Sequence, residues 1–114
     1  MDESKRLKAH WFHILLALAD GDQHGADIVR TVLALTHGDL RLWPVTLYAT
    51  LESLVDAGFI AELSEAPSGQ SERRRYYKLT ASGRRALRRE ADHLGKTVRL
   101  VRNLLSRGAR DTSL

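Results

Sequence analysis

From Leu87 onward, Leu87, Ala91, Leu94, Val98, Val101 and Leu105 follow one another at alternating spacings of four and three residues. A heptad seam of this kind belongs to a helix that needs a partner helix along its length. Thr80 offers a hydroxyl N-cap, and the spacing predicts a single helix over 81–107, about 40 Å at the usual rise per residue. A chain of 114 residues is about one ordinary domain and cannot set a core of its own beside all of that helix. Leu100 and Leu104 add a second apolar strip toward its end. The chain must therefore fold as a small head carrying a long helix whose far half is covered by a partner.

Three helical segments precede a change of period in the head. The first is expected from about Ser4 to Ala19, with Leu7, Trp11, Ile14, Leu15 and Leu18 on one stripe. Phe12 and Leu16 lie on the opposite side, so this helix is apolar on two faces and needs two things to pack against. The turn D-G-D-Q-H-G leads into a second helix, roughly Gly25 to His37, with Ile28, Val29, Val32 and Leu33 inward before Gly38. Pro44, tolerated in a first helical turn, opens the third, with Leu47, Leu51, Leu54 and Val55 buried and Gly58 ending it. Val45, Thr46, Ala49, Glu52, Ser53 and Asp56 then face outward. After Gly58, F-I-A-E-L-S-E and R-R-R-Y-Y-K-L-T read as two short strands joined by the breaker cluster A-P-S-G-Q-S-E. Tyr77 and Leu79 are expected in the core, alternating with Tyr76 and Lys78.

Three helices followed by a hairpin give the layout of a winged helix-turn-helix. The fold class is thus α+β, mainly α, with a two-stranded β-wing and a long C-terminal helix. The head is expected over residues 1–80, the pairing helix over 81–108 and a flexible tail over 109–114.

Composition narrows the function. Residues 1–65 carry a balance of −5 and residues 66–114 a balance of +9, so one half of the molecule is cationic and suits an anionic partner. The chain has no cysteine, which removes disulfides, thiolate metal sites and cysteine nucleophiles. It has neither a glycine-rich phosphate loop nor G-x-S-x-G. His10, His13, Asp20, Asp22 and His24 are the only imaginable metal cluster, and they lack the H-E-x-x-H pattern. No enzyme, metal or cofactor is expected, and His24 reads as a loop residue before the second helix. No apolar run approaches the roughly 20 residues of a membrane span, and M-D-E-S-K-R does not resemble an export signal. No membrane partner is expected, and the cytoplasm is the default location.

The strings H-G-A-D-I, W-P-V-T-L-Y-A-T-L-E-S-L-V-D-A-G-F-I, R-R-R-Y-Y-K-L-T and T-A-S-G-R, in that order, resemble the signature segments of the PadR-like transcriptional regulators. The resemblance implies a dimeric winged-helix repressor that binds double-stranded DNA. The single long C-terminal helix resembles the short branch of that family. There this helix pairs the subunits and the dimer interface can bind small molecules, which makes a small-molecule effector a candidate partner. Ala26 and Trp43 depart from the family pattern, which usually has an aromatic after H-G and a small or polar residue before the proline.

In such a protein the third helix would read bases through Val45, Thr46 and Ala49, with Tyr48 at its flank, because its outer face has no lysine or arginine. Glu52 and Asp56 would repel phosphate. Attraction must then come from Arg73, Arg74 and Arg75 in the wing, extended by Lys78, with Arg84 matching the family's glycine-arginine pair. Arg85, Arg88 and Arg89 read as a solvated helix face, and Lys5, Arg6 and Lys8 rank below the wing as phosphate contacts. Trp11 and Trp43 read as buried structural tryptophans, with the lining of a ligand cavity as their alternative. For the dimer, the first helix (Trp11, Phe12, Leu16) is expected to cross the partner's C-terminal helix (Leu94, Val98, Val101, Leu104, Leu105). That crossing would set two recognition helices about one DNA turn apart on a pseudo-palindromic operator. A winged helix that binds protein instead of DNA is the alternative reading, since an acid-bearing third helix would suit it.

Overall fold

A computed structural model describes residues 6–70 and 73–112, with side chains as far as Gly108. Helices α1 (Ala9–Ala19), α2 (Gly25–Leu35) and α3 (Pro44–Asp56) pack around one core. Strands β1 (Gln23–His24), β2 (Ile60–Glu62) and β3 (Tyr76–Leu79) form one antiparallel sheet in the order β1-β3-β2, and α4 (Ala81–Thr112) leaves it.

Helix α1 begins at Ala9, five residues later than its apolar spacing suggests. Lys5 and the positions before it lie outside the described residues. Arg6 and Leu7 are held to α4 instead of winding into α1: Arg6 donates to both carboxylate oxygens of Glu90 (2.6 and 3.0 Å), and the Leu7 amide donates to Glu90 at 3.1 Å. This explains why Glu90 can be 5% exposed, since a buried carboxylate needs a charged, hydrogen-bonded partner. Ile14, Leu15, Ala17 and Leu18 are buried, while Trp11, Phe12 and Leu16 are only half covered.

Helix α2 ends at Leu35, two residues before the expected His37. Its last turn closes on Thr36, whose hydroxyl donates to Val32 O (2.9 Å) and accepts from the Leu40 amide (3.0 Å). Ile28 and Val32 are fully inside and Val29 and Leu33 half so. Helix α3 starts at Pro44 as the sequence predicts and buries Leu47, Leu51 and Leu54. Val55 departs from the expected stripe and is exposed, because Leu51 and Leu54 already fill the inward side of that turn. The left-handed backbone of Gly58 (φ 81°) lets the Phe59 amide reach back to Leu54 O at 3.0 Å, which turns the chain into β2.

The sheet has three strands where two were expected. Gln23 and His24 pair with Tyr77 and Tyr76, and β2 pairs Ile60, Ala61 and Glu62 with Leu79, Lys78 and Tyr77. This third strand also corrects the placement of Tyr76. Alternation does put Tyr76 and Tyr77 on opposite faces, but both are buried: Tyr77 joins the core, and Tyr76 stands edge-on to the His24 ring (centroids 5.5 Å apart). Strand β3 begins only at Tyr76, so Arg73, Arg74 and Arg75 belong to the loop before it, and Ser71 and Glu72 of the predicted turn lie outside the described residues.

Thr80 joins the sheet to α4. Its hydroxyl donates to Gly58 O (2.6 Å) and accepts the Gly83 amide (3.0 Å), while its own amide donates to Phe59 O (3.1 Å). Gly83 packs so closely that a Cβ there would stand 1.9 Å from Phe59 O. The helix runs on through Thr112, so residues 109–112 of the expected tail are helical and 113–114 lie outside the described residues. Ala86 and Glu90 are buried, but Leu94, Val98, Leu100, Val101, Leu104 and Leu105 are between 37% and 69% exposed in the single chain.

Candidate nucleic-acid interface

Helix α3 turns Leu47, Leu51 and Leu54 inward, and that periodicity forces Val45, Thr46, Tyr48 and Ala49 outward, together with Glu52 and Asp56. The loop before β3 brings the three arginines to the same end of the head. Between them lies an open hollow of about 370 Å³ lined by His24, Gly25, Ala26, Tyr48 and Arg73–Arg75. Seven of the nine predicted contact residues lie on these two surfaces: Tyr48 and the three arginines meet in the hollow, while Val45, Thr46 and Ala49 continue the α3 face. Lys78 and Arg84 are exposed but do not line it.

His24, which the sequence reading placed in a loop, organises this hollow. Its side chain is the N-cap of α2: Nδ1 accepts the Asp27 amide at 3.3 Å. A neutral ring has one N–H, so an accepting Nδ1 assigns the proton to Nε2, which lies 2.8 Å from Asp27 Oδ2. Arg74 Nη1 also stands 2.8 Å from Nε2; with the proton on Nε2 both atoms are donors, so this is a guanidinium set against the ring and not a hydrogen bond to it. Burial holds the imidazole below its ordinary pKa; Asp27 pulls it back up, and Arg74 and Arg30 push it further down. The shift favours the neutral ring, which avoids a second positive charge beside Arg74. Asp27 is also paired with Arg30, and Arg75 approaches Glu62 at 3.7 Å.

Arg6, ranked below the wing for phosphate, is engaged with Glu90 and, through Nη1, with His93 Nε2 at 2.7 Å. Lys8 lies over the Trp11 ring, 6.0 Å from its centroid. Trp43 is 65% exposed, not buried, with the Arg41 guanidinium 5.4 Å from its ring centroid. Trp11 packs edge-on against Phe59 at 6.1 Å. The sequence reading missed Arg41 and His24. Their only signals were an arginine two residues before Trp43-Pro44 and a histidine where serine or aspartate usually caps. Among the described residues no group of three or more His, Asp or Glu could hold a metal ion, and no helix is long and apolar enough to cross a membrane.

Comparisons with known proteins agree with this geometry. A search of curated proteins finds no match. Among solved structures, a transcriptional regulator from Clostridium thermocellum, Cth-833, is 23% identical with a TM-score of 0.66, over 82% of this chain and 89% of that one. Bacillus subtilis PadR in complex with operator DNA is 26% identical with a TM-score of 0.60, over 71% of this chain and 45% of that one. The zinc-responsive MarR family member ZitR from Lactococcus lactis is 23% identical with a TM-score of 0.63, over 88% of this chain and 62% of that one. These neighbours show a winged-helix fold. The family model for the transcriptional regulator PadR-like family matches residues 14–89, which hold α1 from Ile14, the whole sheet, α2, α3 and the first turns of α4. The chain belongs to the PadR-like family of transcriptional regulators.

Proposed function

We propose that this regulator, which is not an enzyme, is a cytoplasmic homodimeric repressor that binds a pseudo-palindromic operator in double-stranded DNA. The observation that carries the reading is the hollow joining Tyr48 of α3 to Arg73, Arg74 and Arg75. Outer-face residues of a helix are thereby set beside a cluster of cations, which is what groove reading with phosphate neutralisation requires. In this reading Val45, Thr46, Tyr48 and Ala49 meet base edges. Arg73–Arg75 hold the backbone, with Lys78 and Arg84 adding charge at the margin. The similarity to a PadR bound to operator DNA supports the same assignment.

The dimer rests on the uncovered seam of α4. Burying Leu94, Val98, Val101 and Leu105 is worth roughly 6–12 kcal/mol before ordering costs, which is enough to drive association. The half-covered Trp11, Phe12 and Leu16 of α1 supply the second surface, and the family resemblance makes the subunit interface the place for a small-molecule effector.

The test is duplex binding, with DNA from upstream of the chain's own gene, at several salt concentrations. Affinity should fall steeply as salt rises, because each phosphate neutralised by Lys or Arg releases counterions. Alanine at Arg73, Arg74 and Arg75 should weaken binding to all sequences and flatten that slope, whereas Thr46→Ala should mainly reduce preference for the specific site. Binding that ignores salt, or a triple variant that binds as before, would favour a protein partner for the acid-bearing α3.

A further inference from the structure

The outer face of α3 has unusual chemistry for a surface set against base pairs. Pro44–Asp56 contains no lysine, arginine, asparagine or glutamine, the side chains that pair bidentately with guanine and adenine in the major groove. Its first turns instead present Val45, 85% exposed, with Thr46, Tyr48 and Ala49, and exposed Trp43 stands immediately before them. A valine that open contributes nothing to its own chain's core. Base edges in the major groove offer one apolar group to such a surface, the C5-methyl of thymine.

The occupant is duplex DNA and not an apolar peptide because the patch is continuous with cations. Tyr48 belongs both to this face and to the arginine-lined hollow, and recognition helices put their N-terminal residues on base edges. Glu52, an acceptor suited to a cytosine amino group, lies about 10 Å further along the axis and does not compete for the same base pair.

We infer that Val45, in the first turn of α3, is a specificity-determining residue that reads thymine by packing on its C5-methyl group in each half-site. The inference rests on the DNA-binding reading above and adds the base that is read and the atom that is recognised.

The experiment enriches duplexes from a random library with the full chain, then resynthesises the best site with deoxyuridine replacing thymidine one position at a time. Uracil pairs as thymine does and lacks only the methyl. At the thymines under α3 the substitution should weaken binding about fourfold per methyl, the value of one buried carbon. Val45→Ala, which withdraws both γ-methyls, should bind the thymine duplex more weakly and narrow its preference over the uracil duplex. This variant keeps its fold, because the side chain is exposed and alanine is the stronger helix former; circular dichroism checks that. Uracil tolerated at every position, or a Val45→Ala chain with undiminished methyl sensitivity, overturns the assignment while leaving DNA binding intact. A chain that enriches no duplex refutes the DNA-binding reading, and the inference with it.

Discussion

Replacing Gly83 by alanine should destabilise the protein even though alanine is the better helix former. A Cβ at this position would stand 1.9 Å from Phe59 O and 2.8 Å from both Phe59 C and Leu79 Cδ1. The leucine can rotate away, but the Phe59 carbonyl cannot, since it accepts the Thr80 amide at 3.1 Å. Relief therefore requires the first turn of α4 to move off β2 by at least about 1 Å, an overpacking response that costs about 1–3 kcal/mol. The same movement disturbs the Thr80 cap, worth about 1 kcal/mol, while the gain in helix propensity offsets about 1 kcal/mol. The net loss is roughly 1–3 kcal/mol, and each of these lowers Tm by roughly 4–8 °C in a domain near this size. Denaturation followed by circular dichroism, at one fixed chain concentration so that association does not enter the comparison, measures it. Gly95→Ala is the control: its Cβ would meet only Arg99 Nη1, at 3.6 Å, so it should gain about 0.5–1 kcal/mol. A Gly83→Ala protein as stable as the parent, or two glycine variants that shift together, would refute the close-approach argument.

Double substitution of Val98 and Val101 by aspartate should give a monomer that also loses specific DNA binding; a variant still sedimenting as a dimer would remove this seam from the interface. Stability in urea should decline as pH drops below about 6.5, where the unfolded chain protonates His24 and the folded one, with its lowered imidazole pKa, does not. His24→Asn keeps a capping acceptor and should lose that slope; an unchanged slope would assign it to another group. Hydrogen bonds from Arg6, with the Leu7 amide, outweigh burial and hold the Glu90 carboxyl below the usual range. Their contribution is present at neutral pH and is lost as pH falls through the carboxylate range to the lowered folded value. Glu90→Gln should accordingly be less stable at pH 7 and converge on the parent in acid, and a constant difference across that range would contradict the assignment.

What could be read from the sequence was what is encoded locally. Pro44, Gly58 and Thr80 each dictate a backbone event through their own chemistry, and α3 and the start of α4 lie where those residues place them. Features that need two distant segments at once were not legible. Strand β1 is two residues with no alternation of its own, and it exists because β3 presents free backbone groups beside it. The start of α1 depends on Glu90, more than eighty positions away, which captures the Leu7 amide. The arginines of the site were visible as a run, but their meeting with Tyr48 and His24 was not, since Arg74 and His24 are fifty residues apart. Val55 shows the remaining weakness: a spacing names a face, and only packing decides which edge of that face is covered.

The joint at Thr80 and Gly83 has no slack. On one side a 2.6 Å hydrogen bond ties the hydroxyl to Gly58 O, and on the other the missing Cβ lets helix and strand touch. The angle at which α4 leaves the sheet is thus set by bond lengths and not by a tether. Over 32 residues the helix acts as a lever about 48 Å long. A tilt of about 5° at its root would carry the far end roughly 4 Å sideways, about three-quarters of the pitch of an α-helix. Small errors at two residues near the sheet are therefore magnified into misalignment at Leu105, in a molecule whose core would register almost nothing.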